Sequence, residues 1–379
     1  MPLKILINGV TLDDANTTPL LINIKYWQKH NCDVTLVGNK HFKKNLIDKN
    51  IINSFKYLYL NENSRINSKF KLILIGLKRN FLIIKNIKKY TNKYDIIHCR
   101  SSVLDLLIFP YFLKKIDKKI KWTAVFDNIV PFNDPGNKIT HTIAWLMFKI
   151  SILLLKKADS IFVISPELKD FFIKHKFNPE NIIITGNAIE TEFLKKSRPQ
   201  KIKYDGIFIG RINEAKGIFD MLKVVDNIKK EIPNFKLAVM GDGDIATKTK
   251  FTNKINKLKL SKNIILLGTK NGVEKFSIIK SSKVFIFLSK TESFGIALLE
   301  AVSCGLPSFV YDLPAYRKIY KNNEIKTFKK GDINSISKSI INTFKKREFE
   351  NISGKKLLGK YSWEQIAKTE LNRFKKITS

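Results

Sequence analysis

Two carboxylates eight residues apart, Glu292 and Glu300, stand in the segment TESFGIALLEAVSCGLP, Thr291 to Pro307. A carboxylate accepts two hydrogen bonds and suits a vicinal diol, such as an edge of a sugar or a ribose. The apolar run VFIFLS before them reads as a strand entering a loop that carries Glu292, with a helix starting near Ser293. On a helix, eight residues advance about 12 Å and rotate about 80°, which puts the carboxylates on neighbouring faces. Between them the amides of Phe294, Gly295 and Ile296 make a helix N-terminus, whose free N–H groups favour an anion. Gly295 lets a ligand approach the backbone closely. One element could thus hold an elongated ligand with a diol at each end and phosphates in the middle, as in a nucleotide sugar. Taken alone, the spacing fits equally well an acid at a helix start and a solvated glutamate further on.

A second group of candidate residues is GRINEAKG, Gly210 to Gly217, directly after the apolar run GIFI. It places Gly210 and Arg211 at a strand end and Lys216 at the start of the next helix. Arg grips a diphosphate with its planar fork, and Lys supplies a point charge. Both would stabilise negative charge developing on a departing nucleoside diphosphate. The segment is not a Walker loop, because Gly-Lys-Ser/Thr is missing and the glycines are wrongly spaced. Read alone, it is also compatible with two ordinary surface cations.

The elements that must position these residues are short apolar runs alternating with helical patterns. Strands are expected at Lys4–Asn8, Asp33–Val37, Phe55–Leu60, Asp95–His98, Lys121–Phe126, Ser160–Ile164 and Asn181–Thr185. A second series covers Gly206–Ile209, Lys236–Met240, Asn263–Leu267, Lys283–Leu288 and Pro307–Tyr311. Such alternation predicts α/β architecture, with parallel sheets covered on both faces. The polar, proline-bearing stretch Lys195–Tyr204 separates the two series and reads as a linker. Two doubly wound, Rossmann-like domains follow, with ligand expected in a cleft at the carboxyl ends of the strands. The 379 residues suit two domains. Ser362-Trp363-Glu364-Gln365 matches a capping box that opens a final helix of about four turns.

The chain carries 69 Lys+Arg against 33 Asp+Glu, a net +36. Residues 1–200 hold 33 basic and 16 acidic side chains and residues 201–379 hold 36 and 17, so the surplus marks neither a basic tail nor a single binding module. The three cysteines, Cys32, Cys99 and Cys304, lack metal or disulfide spacing and read as unpaired thiols in a reducing compartment. The N-terminal MPLKILINGV reads as a first strand, not a signal peptide. No stretch reaches the roughly 18 apolar residues of a spanning helix.

Taken together, the motifs resemble glycosyltransferase family 4 (glycosyltransferase group 1), retaining enzymes of GT-B fold. GR…KG is followed some 75 residues later by E-x7-E within ESFGIALLEA…GLP. The resemblance extends to VMGDGD (Val239–Asp244), LLG (Leu266–Gly268), DIIH (Asp95–His98), GNAIETEF (Gly186–Phe193) and SWEQIAK (Ser362–Lys368). It implies that Arg211 and Lys216 bind the donor diphosphate, that Glu300 binds the ribose hydroxyls, and that Glu292 contacts the transferred sugar. Gly210 and the Phe294–Ile296 amides would face sugar and phosphate. The donor would be a UDP-, GDP- or ADP-sugar used without a required metal or cofactor. A front-face mechanism would need no protein nucleophile, since a donor phosphate oxygen takes the acceptor proton. The resemblance also implies an acceptor-binding domain over 1–195, joined by the crossing-back helix 361–379, and a donor-binding domain over 205–360.

Some positions depart from that pattern. The family's glycine pair after the first strand is replaced by NGVTLDDANTTP, leaving Gly9 as the phosphate-loop candidate. Phe126 and Asp127 stand where a histidine often follows the fifth strand, and Asp127 is the candidate for the acceptor or sugar side. Asn187-Ala188 replaces Asn-Gly. Gly241-Asp242-Gly243-Asp244-Ile245-Ala246 imitates a dinucleotide fingerprint, but an acidic residue about 20 positions on is missing, which argues against NAD. A strand-to-helix turn accounts for Asp242 and Asp244 more simply than a metal-binding D-x-D. His98 reads as structural, and the remaining histidines show no metal-ligand spacing.

Residues 66–93 contain eight basic residues and no acid, interleaved with Leu, Ile and Phe. They fit either a basic amphipathic helix on an anionic leaflet or a helix that packs its apolar side on the sheet. The expectation is a cytoplasmic enzyme, peripheral on the inner face of the membrane, acting on a glycan or lipid-linked acceptor in envelope polysaccharide or lipopolysaccharide synthesis. Another GT-B activity (phosphorylase or nucleotide-sugar epimerase) is the enzyme alternative. A nucleic-acid-binding protein is suggested only by the charge, and no binding motif accompanies it.

Overall fold

The computed structural model describes the chain apart from residues 13–17, 48–54, 63, 65–68, 131–137, 321–323 and 350–353. The loop that follows Gly9 and the first residues of the basic stretch 66–93 therefore fall partly outside the described residues. The chain forms two compact units, Met1–Gly186 with Trp363–Ser379, and Asn187–Ser362.

The first unit is built on a seven-stranded parallel sheet of order β3-β2-β1-β4-β5-β6-β7. Its strands are β1 (Leu3–Gly9), β2 (Cys32–Gly38), β3 (Lys56–Tyr59), β4 (Ile96–Cys99), β5 (Lys121–Phe126), β6 (Ser160–Val163) and β7 (Ile182–Ile184). The central strands are apolar on both faces, as strands covered by helices on both sides must be; Ile5, Leu6 and Ile7 of β1 are wholly buried. Strand order reverses between β1 and β4, which pair in register Ile5 to Ile96. The last helix, Trp363–Thr378, packs in this unit against the helix Thr18–Lys29. Trp27 Nε1 donates to the Ala367 carbonyl at 3.0 Å, and Phe374 meets the Trp27 ring at 5.3 Å. Its buried Glu370 accepts from Asn23 at 2.7 Å and from Arg100 at 3.0 Å.

The second unit has a six-stranded parallel sheet of order β10-β9-β8-β11-β12-β13. These are β8 (Tyr204–Ile209), β9 (Leu237–Met240), β10 (Ile264–Gly268), β11 (Ser282–Phe287), β12 (Ser308–Tyr311) and β13 (Lys326–Phe328). All twelve expected strands form. The thirteenth, β13, is a three-residue edge strand with two exposed positions, Lys326 and Thr327, too short and polar to show alternation.

The stretch Lys195–Tyr204 is not a free linker. The short helix Thr191–Lys196 lies against the helix Gly272–Lys280, and Lys280 donates to the carbonyls of Leu194 and Ser197 at 2.7 and 3.0 Å. Gln200 N–H reaches Ser281 Oγ at 2.6 Å. These bonds bring the segment into the second unit and move the divide back to Gly186.

Candidate functional site

In the second unit β8 and β11 are neighbours at the point where strand order reverses, so the loops leaving their carboxyl ends emerge side by side. The loop after β8 carries Gly210–Gly217 and the loop after β11 carries Glu292–Gly295. Three contacts join them. Lys290 N–H donates to the Ala215 carbonyl at 2.8 Å, Ser289 Oγ donates to the same carbonyl at 3.3 Å, and Lys216 Nζ forms an ion pair with Glu292 Oε1. Lys216 and Glu292 are 76 residues apart in sequence. The pair is largely shielded, so its charges are less screened than those of a surface pair.

Lys216 is placed by a short 3-10 turn, Glu214–Lys216, capped by Asn213, whose side chain accepts from the Lys216 N–H at 3.0 Å. Gly217 then adopts φ 71° and opens the helix Ile218–Glu231. A Cβ there would sit 1.8 Å from the Leu288 carbonyl oxygen. Only glycine permits this left-handed turn pressed against the strand end. Arg211 is exposed, and its guanidinium has no protein partner among the described residues, so it is open to an anion. Gly210 is held to β9 by its N–H, which donates to Met240 at 3.0 Å.

The helix after β11 covers Ile296–Ser303 and so begins three residues later than the sequence suggests. Gly295, at φ 82°, is its cap, and Glu292 lies ahead of it in the loop. The two glutamates are therefore not on adjoining faces of one helix. Glu292 meets Lys216, while Glu300 is buried in the helix and accepts from Lys275 Nζ at 2.5 Å. Burial pushes the Glu300 carboxyl up, Lys275 opposes this, and nearby Glu190 adds to it. Phe294 is buried with its ring edge-on to Tyr361 at 5.2 Å, and Ile296 is exposed. No protein acceptor takes the Gly295 or Ile296 amide among the described residues. Against Gly295 lies Tyr316, whose buried hydroxyl lacks a partner among the described residues. Its ionisation is pushed well up by desolvation and by Glu292, so it stays a phenol. Lys275, Glu190 and Tyr316 were not found from the sequence, because no local spacing links them to the E-x7-E motif.

Gly9 and Asp127 belong to the first unit. Gly9 ends β1 and faces the Phe42 ring, where an added Cβ would come within 2.3 Å. Its missing side chain thus makes room for a core aromatic. Asp127 follows β5; desolvation raises its carboxyl and Arg100 counters this. Phe126 packs among Phe148, Phe171 and Phe172. His98 is buried, with Nδ1 2.9 Å from Thr123 Oγ1, and burial holds its pKa well below the usual value. In the GDGD turn, Asp242 accepts from Gly243 N–H and pairs with Lys248, while Asp244 caps the helix Ile245–Lys257 through Thr247 N–H. Both acids thus serve the turn. Cys32, Cys99 and Cys304 are unpaired.

A family model described as Glycosyl transferases group 1 matches residues 190–356, and one described as Glycosyltransferase Family 4 matches residues 23–193. An uncharacterized glycosyltransferase of Methanocaldococcus jannaschii is 31% identical over 246 residues, which is 61% of this chain and 58% of that relative. This alignment spans less than two thirds of the relative's length. A protein of Escherichia coli named UDP-Gal:alpha-D-GlcNAc-diphosphoundecaprenol alpha-1,3-galactosyltransferase is 25% identical over 272 residues, 65% of this chain and 67% of that protein. Among solved structures, Anabaena HepE in complex with UDP and glucose superposes with a TM-score of 0.72 at 13% identity, covering 98% of this chain and 99% of that one. The two family models run almost end to end over the same two parallel-sheet units that the structure shows, and the chain belongs to the group 1 glycosyltransferases of GT-B fold.

Proposed function

We propose that this protein transfers a sugar, with retention of anomeric configuration, from a nucleotide-sugar donor to a glycan or lipid-linked acceptor in envelope polysaccharide or lipopolysaccharide synthesis. The observation that carries the reading is the meeting of Lys216 and Glu292 beside the open amides of Gly295 and Ile296. In this reading Arg211 and Lys216 neutralise the donor diphosphate and the charge that grows on it as the glycosidic bond breaks. Glu292 contacts the transferred sugar, and the amides of Phe294, Gly295 and Ile296 with Gly210 line the sugar and phosphate path. Glu300, with Oε1 taken by Lys275, offers Oε2 to the ribose hydroxyls. A donor phosphate oxygen receives the acceptor proton, so the protein supplies position and charge, with no covalent nucleophile and no required metal. Asp127 and Gly9 are assigned to the acceptor or sugar side. The relative named for a UDP-Gal donor and a diphosphoundecaprenol acceptor, and the structural neighbour solved with UDP, support this donor and acceptor class.

The test is a melting-temperature panel with UDP-, GDP- and ADP-sugars, followed by turnover with the donor that raises the melting point. Lys216→Ala is expected to lower kcat at least 100-fold with the fold intact, and Glu300→Ala to raise the donor KM at least 10-fold. Near-normal turnover in either variant overturns the donor site. Inverted product by NMR overturns retention, and loss of activity in EDTA that added metal restores overturns metal independence.

A further inference from the structure

The helices Lys69–Lys85, Leu104–Ile116 and Lys138–Leu155 lie on one face of the first sheet, the middle one touching both others. Each turns one side inward: Ile75 and Ile83, Leu106 and Leu113, and Ile152 and Leu155 are buried. Their outward sides are apolar as well, which packing on the sheet does not require. Leu74, Leu77 and Phe81 follow one another at spacings of three and four on the first helix. Ile143, Leu146, Ile150 and Leu153 continue the same pattern on the third, along about 15 Å of helix. Phe112 and Ile116 stand between them on the middle helix. All nine are 38–67% exposed. Single exposed apolar residues need no explanation, but nine on three adjoining helices make a continuous patch that marks an interaction surface.

Charge identifies the occupant. Lys85, Lys115 and Lys149 are exposed around the patch, the last two with Nζ 4.8 and 5.3 Å from the rings of Tyr111 and Trp145. The only acid within these helices, Asp105, is buried against Gly76. An apolar surface fringed by lysines and free of exposed helix carboxylates complements an acyl-chain boundary beneath anionic headgroups. The lysine stems lie along the hydrocarbon and the ammonium groups reach the phosphates. No described helix is long and apolar enough to cross a membrane, so the contact would be with one leaflet. We propose that this three-helix face docks on an anionic lipid bilayer. The surface extends well beyond the basic stretch 66–93, because its longest apolar stripe belongs to the helix Lys138–Leu155. It is independent of the donor-site assignment.

The test is co-sedimentation of the full chain, without donor, with phosphatidylcholine vesicles and with vesicles containing about 30% phosphatidylglycerol. Binding to the anionic vesicles that falls in 0.5 M salt is expected, with much weaker binding to the neutral ones. Leu146→Glu/Leu153→Glu should lower the partition coefficient at least 10-fold with unchanged circular dichroism and melting temperature. Lys149→Glu, which spares the apolar stripe, should lower it about fivefold or more. Equal binding to both vesicle types, no binding, or binding unaffected by the double variant would overturn the proposal. So would light scattering showing a dimer that the double variant dissociates, with no vesicle binding, since a second copy would then cover the face.

Discussion

Glu300 needs an explanation at the level of the single residue, because a buried carboxylate is costly unless it is paired. Lys275 provides the pairing at 2.5 Å, and it is one of the influences that hold the carboxyl down against burial and against Glu190. In the proposed donor site Glu300 accepts hydrogen bonds from the ribose hydroxyls, which requires the ionised carboxylate. Lys275→Met should therefore raise its pKa further. The acid limb of the donor kcat/KM profile should shift to higher pH, and the donor KM at pH 7 should rise at least 10-fold. A pH-rate series with the wild type alongside measures both effects, and an unshifted acid limb would show that Lys275 is structural only. The type and spacing of Glu292 and Glu300 were visible in the chain, whereas Lys275 is one cation among 69 Lys+Arg. No local pattern singles it out.

At the level of elements, the site depends on two loops locked at adjacent strand ends. The glycine in the motif has a steric role, since Gly217 lets the β8 loop lie against the Leu288 carbonyl. Gly217→Ala should cost about 1–2 kcal/mol from its left-handed backbone alone, and more from the clash. Activity should fall with stability, because Lys216 moves with the turn. Calorimetry together with steady-state kinetics would show this, and an unchanged melting temperature would contradict the close approach. The helix after β11 starts three residues later than the sequence suggests, because the left-handed Gly295 pressed on Tyr316 delays the first turn. Arg79 plays a comparable locking role in the first unit. It is fully buried, pairs with Glu62 at 2.8 Å and donates to the Val10 carbonyl at 3.1 Å, which ties together the loops after β1 and β3. Arg79→Ala would leave buried Glu62, among the described residues, with only the Ser64 N–H at 3.0 Å and the more distant Lys78 at 3.5 Å, and should destabilise the protein by about 3–5 kcal/mol in denaturant titration. A loss below 1 kcal/mol would show that the pair is dispensable.

At the scale of the whole molecule, the C-terminal helix returns to the first unit after the chain has built the second. Its buried Glu370, between Asn23 and Arg100, has its pKa raised to about 7, with burial as the main cause and Arg100 opposing it. The folded state therefore holds this proton more tightly than the unfolded chain. The associated stability is fully present below about pH 4.5 and is lost as pH rises through about 7. Glu370→Gln should flatten the fall in melting temperature between pH 5 and 7. A wild-type slope retained in the variant would place the titration elsewhere.

By itself the sequence determined the two-sheet α/β architecture, because parallel strands buried on both faces must be continuous apolar runs separated by helical patterns. It also singled out Arg211, Lys216, Glu292 and Glu300 as donor-side candidates, because phosphate and diol recognition demand particular side chains next to strand ends. Only the tertiary structure decided which of these residues meet. The reversal of strand order at β8 and β11 brings Lys216 to Glu292, and the packing of neighbouring helices gives Glu300 its lysine. It also decided where the units divide and how far the exposed apolar face extends. Both depend on contacts between distant segments, which no local periodicity records.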